Sequence, residues 1–188
     1  MKRISSGTAL GTLRVAVGIL FLIFAEYKVF GTQFTLGGGF QHWINEFIAE
    51  GAYPFMVPVL QNFVLAHAKP IALLVAYGEL AIGIALVCGI LVRAASVGGL
   101  LYMLALLFSS NYPGPHAPFW QYFGAALNHL VFILCFSTFL LNDATDAVSL
   151  PNYLRHRQGR SVLSKRPETQ RLAFDKSEKE IAREHLND

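Results

Sequence analysis

Charge is sparse through most of this chain. Only 14% of its 188 residues are charged, and nine of the fifteen Lys and Arg and eight of the twelve Asp and Glu follow Asn142. Between residues 4 and 142 the formal charges are carried by Arg14, Glu26, Lys28, Glu46, Glu50, Lys69, Glu79 and Arg93. Soluble domains carry about 25% charged residues, so this stretch does not read as a soluble domain. The basic residues after Asn142 are mixed with acids, a basic cluster at 155–166 followed by alternating charge from Glu168, which describes a solvated tail and not a nucleic-acid-binding stripe.

Cysteine is scarcer still, with two in the chain. Cys88 and Cys135 both fall inside apolar runs, so no disulfide framework of a secreted domain is implied. They lie at a similar depth, five or six residues from the ends of their runs. A redox pair is one reading, and small packing residues in apolar helices are the blander one. No CxxC, haem-attachment, Walker or Rossmann pattern occurs. Any electron carrier other than a bound quinone therefore belongs to a partner, and no metal site is expected, since His42, His67 and His116 lack ligand spacing.

What the chain has instead is long apolar sequence. Twenty helical residues at 1.5 Å each match a hydrocarbon core of about 30 Å. Runs of that kind predict four spans at about 9–30, 71–92, 94–110 and 119–141, the middle two joined tightly at Arg93. The fold class is an all-α integral membrane protein. It is expected to be a four-transmembrane-helix bundle with an amphipathic or re-entrant helical insertion between spans one and two, forming a domain over 1–150 with a charged cytoplasmic tail at 151–188. The opening run is not a secretory signal, because Glu26 and Lys28 interrupt its end and further spans follow. Arg14, Glu26 and Lys28 lie near its two ends, where long stems reach the interface by snorkelling.

Within the insertion, Phe40, Trp43, Ile44, Phe47 and Ile48 recur at helical spacing against Gln41, His42, Asn45, Glu46 and Glu50. This predicts an amphipathic helix, entered through a turn at Gly37-Gly38-Gly39, that lies on lipid or caps the bundle. The apolar stretch 55–66 is too short to span and is expected to be re-entrant or packed over the bundle. Lys2, Arg3, Arg93 and the basic residues of 155–166 fall on one side of four spans, which places both termini in the cytoplasm by the positive-inside rule.

Counting inward from the span ends puts Glu79, His129 and Tyr102 near one midplane level, although they come from three different spans. A carboxylate, an imidazole and a phenol at that depth are candidate catalytic groups that bind a quinone carbonyl and exchange its protons. Asn128 points about 100° away from His129, so only one of the two is expected to face Glu79. The plainer reading is that these groups hydrogen-bond one another and fix helix packing.

The residues 14–21, reading Arg-Val-Ala-Val-Gly-Ile-Leu-Phe and leading to Lys28, are followed by 78–86, reading Gly-Glu-Leu-Ala-Ile-Gly-Ile-Ala-Leu and leading to Gly89 and Arg93. This pattern resembles the DoxX-like membrane proteins, which include the small subunit of a thiosulfate:quinone oxidoreductase. The resemblance covers about residues 10–150. It implies a four-helix membrane subunit of a quinone-linked electron-transport complex in a bacterial or archaeal cytoplasmic membrane. Such a chain is a subunit and not a self-sufficient enzyme. Its expected partners are the lipid bilayer and redox or other membrane-complex subunits, with quinone as the possible cofactor and none intrinsic. Asn128, Arg14 and Arg93 are candidate cofactor-binding residues. Two other functions stay open: a non-catalytic anchor or scaffold, and a transporter of a small solute, for which no inverted repeat is visible.

Overall fold

The computed structural model describes residues 6–124 and 127–141, so the expected tail at 151–188 lies outside it. The elements are α1 (Ser6–Phe30), α2 (Thr32–Thr35), α3 (Gly39–Glu50), α4 (Val57–Val59), a π-helical segment (Leu60–Val64), α5 (Ala68–Cys88), α6 (Val92–Ser110), α7 (Phe119–Gly124) and α8 (Leu127–Leu141). No strand occurs among the described residues. Helices α1, α5 and α6 are long and apolar enough to cross a membrane, and α8 is a shorter apolar helix. The protein is an integral membrane helical bundle with an inserted helical segment between its first two spans.

The helices pair antiparallel through small residues. A side chain at Gly18 would stand 2.9 Å from Leu86, and one at Gly83 would stand 2.8 Å from Leu22, so glycine lets α1 and α5 approach closely. The buried positions of α5 are Ala68, Ala72, Ala76, Glu79, Gly83 and Leu86. That alternation of three and four residues makes a coiled-coil seam, and Glu79 sits on it.

The expected joint at Arg93 is displaced. Helix α5 ends at Cys88, and Gly89 takes the left-handed conformation (φ 69°) while the Ile90 amide donates to the Ala85 carbonyl at 3.1 Å. This is a glycine-terminated helix end, and Arg93 belongs to the first turn of α6. Charge alone marked Arg93 as the break, whereas the backbone needs the glycine. Leu91 also has positive φ (50°) and is 77% exposed. Gly89→Ala is expected to lower stability by about 1 kcal/mol and Leu91→Gly to leave it level or raise it, as read from unfolding in mixed micelles.

The insertion folds over the end of the bundle opposite Arg93. Gly38 (φ 87°) turns the chain into α3 as expected, and Phe40 and Ile44 are buried with Leu60, Ala68 and Ala72. The 55–66 stretch thus packs over the bundle as a short helix and a π turn closed by the Leu65 amide on the Leu60 carbonyl. Two backbone bonds stitch the insertion to the last turn of α6, Tyr53 N–H to Phe108 O (2.9 Å) and Tyr112 N–H to Gly51 O (2.8 Å). At Gly51 an added side chain would meet the Ser110 carbonyl at 2.9 Å.

Candidate functional site

The register of α1 determines what Glu79 meets. Gly11, Arg14, Val17, Gly18, Phe21 and Ala25 are its buried positions, and the three-and-four spacing through Gly11, Arg14, Gly18, Phe21 and Ala25 continues to Lys28. Lys28 and Arg14 therefore face the bundle. The expectation that they anchor at the two interfaces is corrected: Arg14 is fully buried, and the Lys28 side chain is 12% exposed.

Lys28 Nζ donates to both carboxylate oxygens of Glu79, at 2.6 Å to Oε1 and 2.7 Å to Oε2. The Tyr102 hydroxyl donates to Oε1 at 2.5 Å and lies 3.5 Å from Nζ. The ammonium also sits 5.3 Å from the Phe34 ring centroid, 5.9 Å from Tyr27 and 6.0 Å from Tyr102. A buried charge is tolerated when it is paired directly and the remaining lone pairs are occupied. Both conditions hold here, with the aromatic faces adding cation–π attraction. Lys28 reaches this depth because α1 ends level with the upper half of α5; the insertion, not α1, covers the first two turns of α5.

Beside the ion pair lies a cavity of about 550 Å³, a volume in the range of small-molecule sites. Its walls are mainly apolar, with Phe24, Phe34, Phe40, Trp43, Phe47 and Phe132 among them. The apolar face of α3 thus closes the cavity. One polar patch consists of Lys28, Glu79 and Tyr102; a second contains Ser109, Ser110, Asn128 and His129.

Of the expected site residues, Glu79 and Tyr102 touch. His129 lines the same cavity but bonds elsewhere: the Asn111 amide nitrogen stands 3.0 Å from Nδ1 and donates to Ser110 Oγ at 2.7 Å. With an amide donor at Nδ1, the neutral ring carries its proton on Nε2. Asn128 also lines the cavity, its Oδ1 accepting from the His129 amide at 3.0 Å, and neither it nor His129 bonds to Glu79. Arg14 and Arg93 do not line the cavity. Cys88 and Cys135 are half-buried free thiols. His42 lies against Trp43 and His67 against Phe63, away from the ion pair.

Sequence reasoning missed Lys28 and Asn111. The signal for Lys28 was present in the seven-residue spacing of small residues along α1, which outranks nearness to a helix end. A family model described as DoxX matches residues 9–111, from α1 through α6 with Lys28, Glu79 and Tyr102 inside the match and Asn128 and His129 beyond it. No curated protein and no solved structure matches the chain.

Proposed function

The chain belongs to the DoxX family, and from that premise we propose that it is the membrane subunit of a quinone-linked redox complex and holds the quinone head group in the cavity beside Lys28, Glu79 and Tyr102. The observation that carries this reading is a charged, hydrogen-bonding cluster opening on a largely apolar cavity of suitable size. The residues fit the group: the walls suit a flat apolar ring, and hydrogen-bond donors stand in two separate patches for its two carbonyl oxygens. When bound, a quinone accepts two electrons and two protons. Lys28 donates to both Glu79 oxygens and lies 3.5 Å from the Tyr102 hydroxyl, and this third, long contact is the one a quinone carbonyl oxygen would replace. Tyr102 holds its proton toward Glu79 Oε1, and His129 holds one on Nε2 in the other patch. Electrons come from a partner subunit, the termini face the cytoplasm, and Arg93 marks that side of the bundle.

One measurement tests the site. In a Trp120→Phe background Trp43 is the remaining tryptophan, and it lines the cavity. Titration of the nanodisc-embedded protein with a short-chain benzoquinone is expected to quench Trp43 saturably. Binding should weaken at least tenfold, about 1.4 kcal/mol, in the double variant K28M/E79L, which removes the Lys28 donor and the carboxylate that orients Tyr102 without stranding a charge. Linear, unsaturable quenching in both proteins overturns the quinone site.

The completeness of the Lys28–Glu79–Tyr102 bonding favours a second reading, a non-catalytic anchor of a larger membrane complex in which this cluster locks the helices. On that reading, removal of residues 152–188 releases the partner subunits, and K28M/E79L leaves complex and turnover intact.

A further inference from the structure

Among the described residues the cavity has one side with no closing wall. Toward α5 the wall is Ile71, Val75 and Glu79, toward α6 the Glu79–Tyr102 bond closes it, and toward the insertion Phe40, Ile44 and Leu60 do, each 6% exposed or less. Between α1 and α8 the ring contacts among the described residues are Phe21–Phe132 (6.0 Å) and Phe21–Phe136 (5.4 Å). Beyond that level, toward the insertion, the lining residues Phe24, Tyr27 and Trp43 are each at least 50% exposed, and Asn128 is exposed beside them.

The surroundings of this opening are hydrocarbon. Ile19, Leu20 and Ile23 on α1 and Val131 and Leu134 on α8 are exposed apolar side chains on the outer faces of the two helices. The antiparallel contact of Leu22 with Gly83 sets Phe24 level with Ala81, near the middle of the 21-residue α5. An opening at that height meets acyl chains, not water.

We propose that the cavity takes its ligand sideways from the bilayer, and that the ligand carries a hydrocarbon tail which stays in the seam between α1 and α8 while its head lies at Lys28, Glu79 and Tyr102. This inference rests on the quinone reading for the head group and adds the tail and its path. The tail contributes affinity in proportion to the apolar surface it covers, and Phe21 with Phe132 forms the sill that stops it on the Arg93 side.

The test uses a benzoquinone whose alkyl tail ends in a photoreactive diazirine, bound to the wild-type protein in nanodiscs and mapped by peptide mass spectrometry. Labelling is expected on α1 between Leu20 and Phe24 and on α8 between Asn128 and Leu134, and excess tail-less benzoquinone should suppress it at least tenfold. Label on α3 or the 111–118 loop, or label on lipid-facing residues of every helix that the tail-less compound does not suppress, overturns the lateral path. The Trp43 titration separates the two failures: saturable quenching with misplaced label defeats the path alone, and absence of saturable quenching defeats both.

Discussion

Lys28→Met is expected to destabilise the bundle by about 3–5 kcal/mol, because it leaves the Glu79 carboxylate buried without its counter-ion. Glu79 is 5% exposed, and its other partner, the Tyr102 hydroxyl, supplies a hydrogen bond but no charge. E79L should cost a similar amount by stranding the ammonium, partly offset by the Phe34 and Tyr27 ring faces. The double variant K28M/E79L removes both charges and keeps the volume apolar, so its cost is expected to be about 1 kcal/mol or less. The cycle is read from unfolding in mixed micelles, and a coupling of several kcal/mol is the expected result. If K28M costs no more than K28M/E79L, the pair is not a direct buried contact, and both its structural and its ligand-binding roles fall.

The same pair shows how far the sequence could be read. Depth counting from Arg93 and Pro70 brought Tyr102 and Glu79 together correctly, because α5 and α6 are antiparallel neighbours joined by a turn of three residues, and position along each run translates directly into height. The count failed for Lys28, which stands two residues from the end of α1 and was assigned to the interface. Run length does not say that the neighbouring helix continues for two more turns beneath an insertion, so a residue at the end of one helix lies opposite the middle of another. The three long apolar helices and the shorter apolar α8 were legible from run length and the amphipathic α3 from periodicity, since the bilayer and the apolar face dictate them locally. The cavity was not. It exists because α1 and α8 part beyond Phe21, which is a property of three helices and a roof rather than of any one segment.

Gly99 predicts the largest packing effect. An added side-chain carbon there would lie 2.2–2.6 Å from three ring atoms of Phe136, closer than real carbons approach. The ring cannot easily give way: it is fully buried, and it meets Phe21 and Phe139 edge to face at 5.4 and 6.3 Å. Gly99→Ala is therefore expected to cost about 2–3 kcal/mol and Gly99→Val more, the upper end of overpacking penalties, despite the better helix propensity of both replacements. Gly78 is the internal control, since nothing lies within 4 Å of the carbon it lacks; Gly78→Ala should be neutral or stabilise by up to about 1 kcal/mol. Shortening the opposing ring in Gly99→Ala/Phe136→Leu should restore part of the loss. The consequence reaches the site, because Tyr102 stands three residues along α6 from Gly99, on the next turn. If the ring forces α6 away from α8, Tyr102 moves relative to Glu79, and Gly99→Ala should weaken saturable quenching of Trp43 by benzoquinone as well as stability. Equal stability of Gly99→Ala and Gly78→Ala would mean that α6 and α8 do not meet at this contact.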